Sequence, residues 1–242
     1  MKVRRRYRAG ISPVLATLIL IVIAVVAGLM VYAWVSGWMG GWLGAAGKEL
    51  KVVHIIFDKG VWSDRQFDDW KVEENKEVTY NVWSKSGNYY YIKPGTVEIE
   101  VPATGGGSIV IEDSGGKLVN VADGTEVGSI DYDGGVFTID YNEIDNEAGG
   151  EKIKVSCELY RIRLFIKNTG GEKLSVRRIW YGTTSDCPNG LNVKDPSLPY
   201  TLSPGSEKWF YAANDFSSGL KYFFKVECTD GSVFGPFSKT AP

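Results

Sequence analysis

The chain has 242 residues, enough for one large domain or two small ones with a buried core. Its 27 Lys and Arg against 29 Asp and Glu give a formal net charge of −2, and five of the basic residues (Lys2, Arg4, Arg5, Arg6, Arg8) fall in the first ten positions. The remainder carries 22 basic against 29 acidic residues, a balance that repels polyanions and excludes nucleic acid as an expected partner.

After Arg8 no charged side chain occurs until Lys48, which leaves 39 uncharged positions, too long and too apolar a run for an ordinary core helix. A helix is predicted from about residue 12 to residue 44. At 1.5 Å per residue it spans roughly 50 Å, whereas the hydrocarbon core of a bilayer is about 30 Å thick. The last third therefore lies beyond lipid. Gly37, Gly40, Gly41, Gly44 and Gly47 gather there beside Trp34, Trp38 and Trp42, the composition of a loosening helix end at a membrane interface. Pro13 is tolerated because it falls in the first turn. The basic block stays cytoplasmic and directs everything after Lys48 outward. A cleaved secretory signal places small residues after a short apolar stretch. Here Ala9 and Gly10 stand before it.

That order, a basic leader ending in Ala9-Gly10 followed by "ISPVLATLILIVIAVVAG" from Ile11, resembles the class III signal and N-terminal helix of archaeal type IV pilins. The resemblance covers residues 1 to about 45. It implies cleavage by a prepilin peptidase between Gly10 and Ile11, so that residues 1–10 are removed and 11–47 are kept. The retained helix would wait in the membrane before assembly and then enter a filament core through Val14, Leu15, Leu18, Ile21, Val22, Val25, Val26 and Leu29. Leu15 occupies the fifth mature position, where bacterial relatives carry Glu and archaeal ones commonly do not. The resemblance further implies self-association into a helical homopolymer, an assembly ATPase, a membrane platform protein, and a role in adhesion. The archaellin, a motility filament subunit, is the near alternative.

From Lys48 the pattern changes to short β-rich stretches divided by Gly, Pro, Asn and Asp. Strands are predicted at 51–57, 77–83, 89–93, 96–101, 108–112, 117–121, 136–141, 160–168, 174–182, 207–212 and 220–228, several of them alternating apolar and polar residues. The expected fold is thus a long N-terminal α-helix followed by an all-β, Ig-like antiparallel sandwich head at 48–242. Residues 151–242 read as the Ig-like unit, with turns at Asn168-Thr169-Gly170-Gly171, Pro204-Gly205 and Asp230-Gly231. This unit resembles the C-terminal β-domain of archaeal surface fibre proteins. Residues 94–150, richer in Gly, read either as an insertion on the sandwich or as a second β-unit.

Residues able to carry chemistry are few. His54 is the one histidine and lies among Val52, Val53, Ile55 and Ile56, the setting of a structural or interface side chain. No nucleophile elbow, zinc motif, phosphate loop or dinucleotide fingerprint occurs, so neither enzymatic activity nor a cofactor is expected. Cys157, Cys187 and Cys228 lack metal-ligand spacing. Outside the cell one disulfide, Cys187 to Cys228, is expected, with Cys157 a buried thiol and pairings through Cys157 left open. Asp131, Asp133, Asp140, Glu143 and Asp145 form an acidic neighbourhood without EF-hand spacing, and "DYDGG" suits a hairpin turn. Alternation along a strand puts at most two of Tyr89, Tyr90 and Tyr91 on one face, a pattern of core packing more than of a sugar platform. There is no N-x-Ser/Thr sequon.

Three functions compete on these grounds. The first is a filament subunit on the cell surface whose precursor sits in the cytoplasmic membrane. The second is a single-span anchored surface binding protein, and the third an anchored enzyme, which would need a convergent polar site.

Overall fold

The computed structural model describes residues 13–44, 47–87, 89–144 and 147–242; side chains are described outside 13–14 and 33–44. The chain forms two compact units, residues 1–47 and 48–242.

The first unit is one helix, α1 (Pro13–Gly44). It begins at the proline, whose missing N–H is unneeded in a first turn, and continues through a largely aliphatic stretch that contains no charged residue.

The second unit is all β apart from two short helical turns. In chain order it contains β1 (Leu50–Lys71), β2 (Glu77–Asn81), the five-residue α2 (Val82–Ser86), β3 (Tyr91–Ile92), β4 (Glu98–Pro102), β5 (Ser108–Ser114), β6 (Lys117–Asn120), β7 (Glu126–Asp131) and β8 (Val136–Asp140). A 3₁₀ turn follows at Tyr141–Glu143. Then come β9 (Lys152–Asn168), β10 (Leu174–Gly182), β11 (Asn189–Gly190), β12 (Val193–Asp195), β13 (Tyr200–Leu202), β14 (Glu207–Ala212), β15 (Lys221–Cys228) and β16 (Val233–Thr240). Predicted and observed limits agree at β10 and β14. Residues 82 and 83, predicted to extend β2, instead open α2, because the Asn81 side chain accepts from Ser84 N at 3.0 Å and caps a turn that Gly87 closes in the left-handed region.

Eleven strands form one sheet, in the order β12-β14-β9-β4-β5-β6-β7-β8-β2 with β1 and β3 also bonded to β9; five more form a second sheet of β11, β10, β15, β16 and β13. All pairings are antiparallel. The sandwich arises where β1, β9 and β14 face β10, β13 and β15 across Phe57, Ile162, Leu164, Ile166, Val176, Phe210, Phe224 and Val226. A separate core holds Trp70, Tyr80, Ile99, Ile111, Leu118, Phe137, Ile139, Ile153 and Val155. Both ends of the β9-to-β2 meander contribute to this core, so the sheet rolls around it. The 94–150 segment therefore packs on a core it shares with β1, β2 and β9, and its strands continue the sheet of the sandwich.

β9 explains how one strand serves both. Its buried positions are odd-numbered from Ile153 to Leu159 and even-numbered from Tyr160 to Asn168. The pairing with β1 runs through this change without a shift, Leu159 opposite Gly60 and Tyr160 opposite Lys59. Side chains alternate faces along a strand, so the two cores lie against opposite faces of β9. At the crossover Leu159, Tyr160 and Arg161 are all buried.

Candidate functional site

Among the described residues, most of the exposed large hydrophobic side chains lie on α1. From Leu15 to Tyr32 it is long and apolar enough to cross a membrane, and none of this stretch is buried against the rest of the protein. Leu15, Leu18, Ile21, Val22, Val25, Val26 and Leu29, the side chains expected in a filament core, are 44% to 62% exposed. Leu20, Ile23 and Met30, on other sides, are equally open at 62% to 70%. The helix thus has no polar face, unlike a helix that beds on a soluble domain. Gly10 and Ile11 lie outside the described residues, and the side chains of Val14, Trp34, Trp38 and Trp42 are not among those described.

In the head, the remaining candidates have structural surroundings. His54 is exposed on β1 and stacks near Phe165 (5.9 Å) and Trp209 (6.4 Å). Asp131 Oδ1 accepts from Gly134 N at 2.7 Å and closes the β7–β8 hairpin; Asp140 Oδ1 accepts from Asn142 N at 3.0 Å and caps the 3₁₀ turn. Asp145 lies outside the described residues, among which no three His, Cys, Asp or Glu side chains converge on a metal position. Tyr90 packs on the core around Trp70 and Ile99 and Tyr91 on the sandwich core, as alternation requires. Tyr89 stands edge-on to Trp83 at 5.2 Å.

The expected disulfide between Cys187 and Cys228 is corrected by the strand register. The Cα of Cys187 lies against Gly182 at one end of β10, whereas Cys228 is opposite Val176 at the other. Six residues of strand separate those ends, roughly 20 Å, and a disulfide needs Cα atoms within about 7 Å. Cys157 lies opposite Trp62 in the other core. All three are buried free thiols. Burial pushes the Cys157 thiol up to about 12 and raises the other two.

One charged constellation was missed. Arg161 is buried on β9 with its guanidinium 4.5 Å from the Tyr90 ring centroid, and its Nε donates to Asp58 Oδ2 at 3.0 Å. Arg163 Nη2 donates to Asp58 Oδ1 at 2.9 Å. The alternation in "RIRLF" carried the signal: with Ile162 and Leu164 inside the sandwich, both arginines must take the other face.

The chain matches no protein-family model and no curated protein. Two crystal structures of a GH2 beta-galacturonidase from Eisenbergiella tayi, one bound to galacturonate and one to glycerol, align with 74% of this chain at 10% identity and TM-scores of 0.21 and 0.20. The chain covers 42% and 41% of those chains, less than half of either, and likeness at that level carries no argument about fold or activity.

Proposed function

We propose that the chain is the structural subunit of an archaeal type IV pilus-like extracellular filament, matured between Gly10 and Ile11, assembled through α1 and serving adhesion through its head. The observation that carries this reading is the contrast between a head whose cores are complete within one chain and a helix apolar on every side. Before assembly lipid can cover such a helix; afterwards copies of the same helix can, packing aliphatic side chains about a fibre axis. About 20 large apolar side chains at roughly 1.5–3 kcal/mol each are ample to hold a polymer after ordering costs. The basic leader, the Ala9-Gly10 site and the Ile-Ser-Pro start support the same reading. Its partners are then further copies of itself, the prepilin peptidase, an assembly ATPase and a membrane platform.

The second reading, a single-span surface binding protein, is favoured by the same exposed helix, since lipid alone satisfies it. N-terminal mass spectrometry on material sheared from cells, with electron microscopy of the same preparation, separates the two. Filaments whose subunit begins at Ile11 are the expected result. A chain that begins at Met1 and stays in membranes without filaments would overturn it.

A further inference from the structure

On the face of the β1–β9 ribbon that carries the core around Trp70 and Ile99, a solvent-open cleft of about 260 Å³ lies between β1, α2 and β9. Its walls are aromatic. Trp62 and Phe67 of β1, both half-buried, meet with centroids 5.3 Å apart, and Tyr90 stands among the lining side chains.

The floor is made by Leu159 and by Gly60. No backbone strain requires glycine there: Gly60 is not among the residues of positive φ, and an added Cβ would meet Leu159 Cβ at 3.5 Å, an ordinary contact. What glycine supplies at this position is depth. With no side chain at position 60, a ligand can approach the strand backbone closely there.

The charge around the cleft is positive. Arg65 lines it, and among the described residues its guanidinium has neither an ion pair nor a hydrogen bond, whereas Lys85 is already paired with Asp69. Behind Tyr90 lies Arg161, with Nη1 buried and unpartnered; Asp58 alone serves Arg161 and Arg163. An anion that stacks on the aromatic walls can take the charge Arg65 offers while the neighbouring guanidinium reinforces the field. The acidic balance of the whole head disfavours a polyanion, so one charge on one ring is the fitting ligand.

We propose that this cleft binds a single acidic pyranose at the end of a surface glycan, its ring stacked on Trp62 with Phe67 and Tyr90 beside it, and its carboxylate paired with Arg65. The proposal rests on the adhesive reading of the head and names what the head would hold.

The test uses the full chain in detergent micelles, so that filament formation does not enter, and compares methyl glucuronide with methyl glucoside, which differ in the carboxylate. Ligand-observed NMR titration reads binding. The glucuronide is expected to bind with Kd of about 1 mM and the glucoside at least ~5-fold more weakly. Arg65→Gln, a change at an exposed side chain, should erase that difference, and Gly60→Leu, which fills the floor, should abolish binding of both. No binding of the glucuronide at ~20 mM, equal affinity for the two sugars, or binding unchanged in both variants would overturn the proposal. Filaments formed by Arg65→Gln cells would leave the assembly reading intact whichever way the titration falls.

Discussion

Ile21 and Ile162 are the same side chain in two surroundings. On α1, Ile21 is 62% exposed; on β9, Ile162 is fully buried between two sheets. The head makes its own interior, twice, on opposite faces of β9. The described side chains of the helix have none, and on the proposed reading they find one outside the chain, in lipid or in other helices. The comparison predicts that damage to the two regions appears in different measurements.

The largest effect is expected from Val25→Asp. An aspartate at the centre of a membrane helix costs about 2.5–3.5 kcal/mol, and an unpaired buried charge costs several. The yield of sheared filaments should fall at least ~tenfold by electron microscopy, while the thermal midpoint of the head stays where it was. A normal yield would break the comparison by showing that α1 needs no apolar surroundings.

Next comes Ile162→Ala, expected to lower the unfolding free energy of the head by about 2–5 kcal/mol in denaturant titrations of the full chain in detergent. The same change at Ile21 should move the head by no more than ~0.5 kcal/mol. Equal losses would mean that α1 is packed against something the comparison leaves out.

What could be read from the sequence follows the same division. The helix was legible because 39 positions without charge leave a folded chain few alternatives. β10 and β14 were legible because runs rich in β-branched and aromatic residues are bracketed by turn residues, even though β10 bulges between Val176 and Arg178. The second half of β1 was not. Asp58, Lys59, Gly60, Asp64, Asp68 and Asp69 give that stretch the composition of a loop, and it is a strand because β9 lies beside it, a partner far away in sequence. The cleft went unseen with it, since Trp62, Arg65 and Phe67 belong to that half. The first half of β9 was hidden differently: the buried positions change parity at Leu159 and Tyr160, so one period cannot describe the strand. The cysteine pairing failed because register sets which ends of β10 the thiols occupy, and spacing in the chain does not contain register.

Asn168 sharpens the contrast from the polar side. It is fully buried where the chain leaves β9 for the second sheet. Its Nδ2 donates to Glu172 O at 2.7 Å and Leu202 O at 3.0 Å, and its Oδ1 accepts from Gly170 N at 3.0 Å. Asn168→Ala leaves three backbone groups without these partners, a loss of about 1–3 kcal/mol. The denaturant midpoint of the head should fall accordingly and filament yield should not. A stability within ~0.5 kcal/mol of wild type would show that water replaces the amide.

The smallest effect is electrostatic and belongs to the head alone, since Tyr32 is the one titratable side chain between Leu15 and Tyr32. The Glu158 carboxylate accepts from Lys59 Nζ at 2.9 Å, Lys93 Nζ at 3.1 Å and Tyr160 OH at 2.8 Å, and these partners hold it down to about 2 from an ordinary 4.5. A depressed carboxyl binds its proton less readily when folded than when unfolded. Its stabilisation is therefore full above pH 4.5 and is lost as the pH falls toward 2. The side chain remains 28% exposed, so water screens the pairs and the effect is modest. Glu158→Gln should lower the thermal midpoint by a few degrees at pH 7, and the two melting curves should converge as the pH approaches 2. Curves that stay parallel through that window would mean that the carboxylate is not ion-paired in solution, and the junction between the two cores would then rest on Leu159, Tyr160 and Arg161 alone.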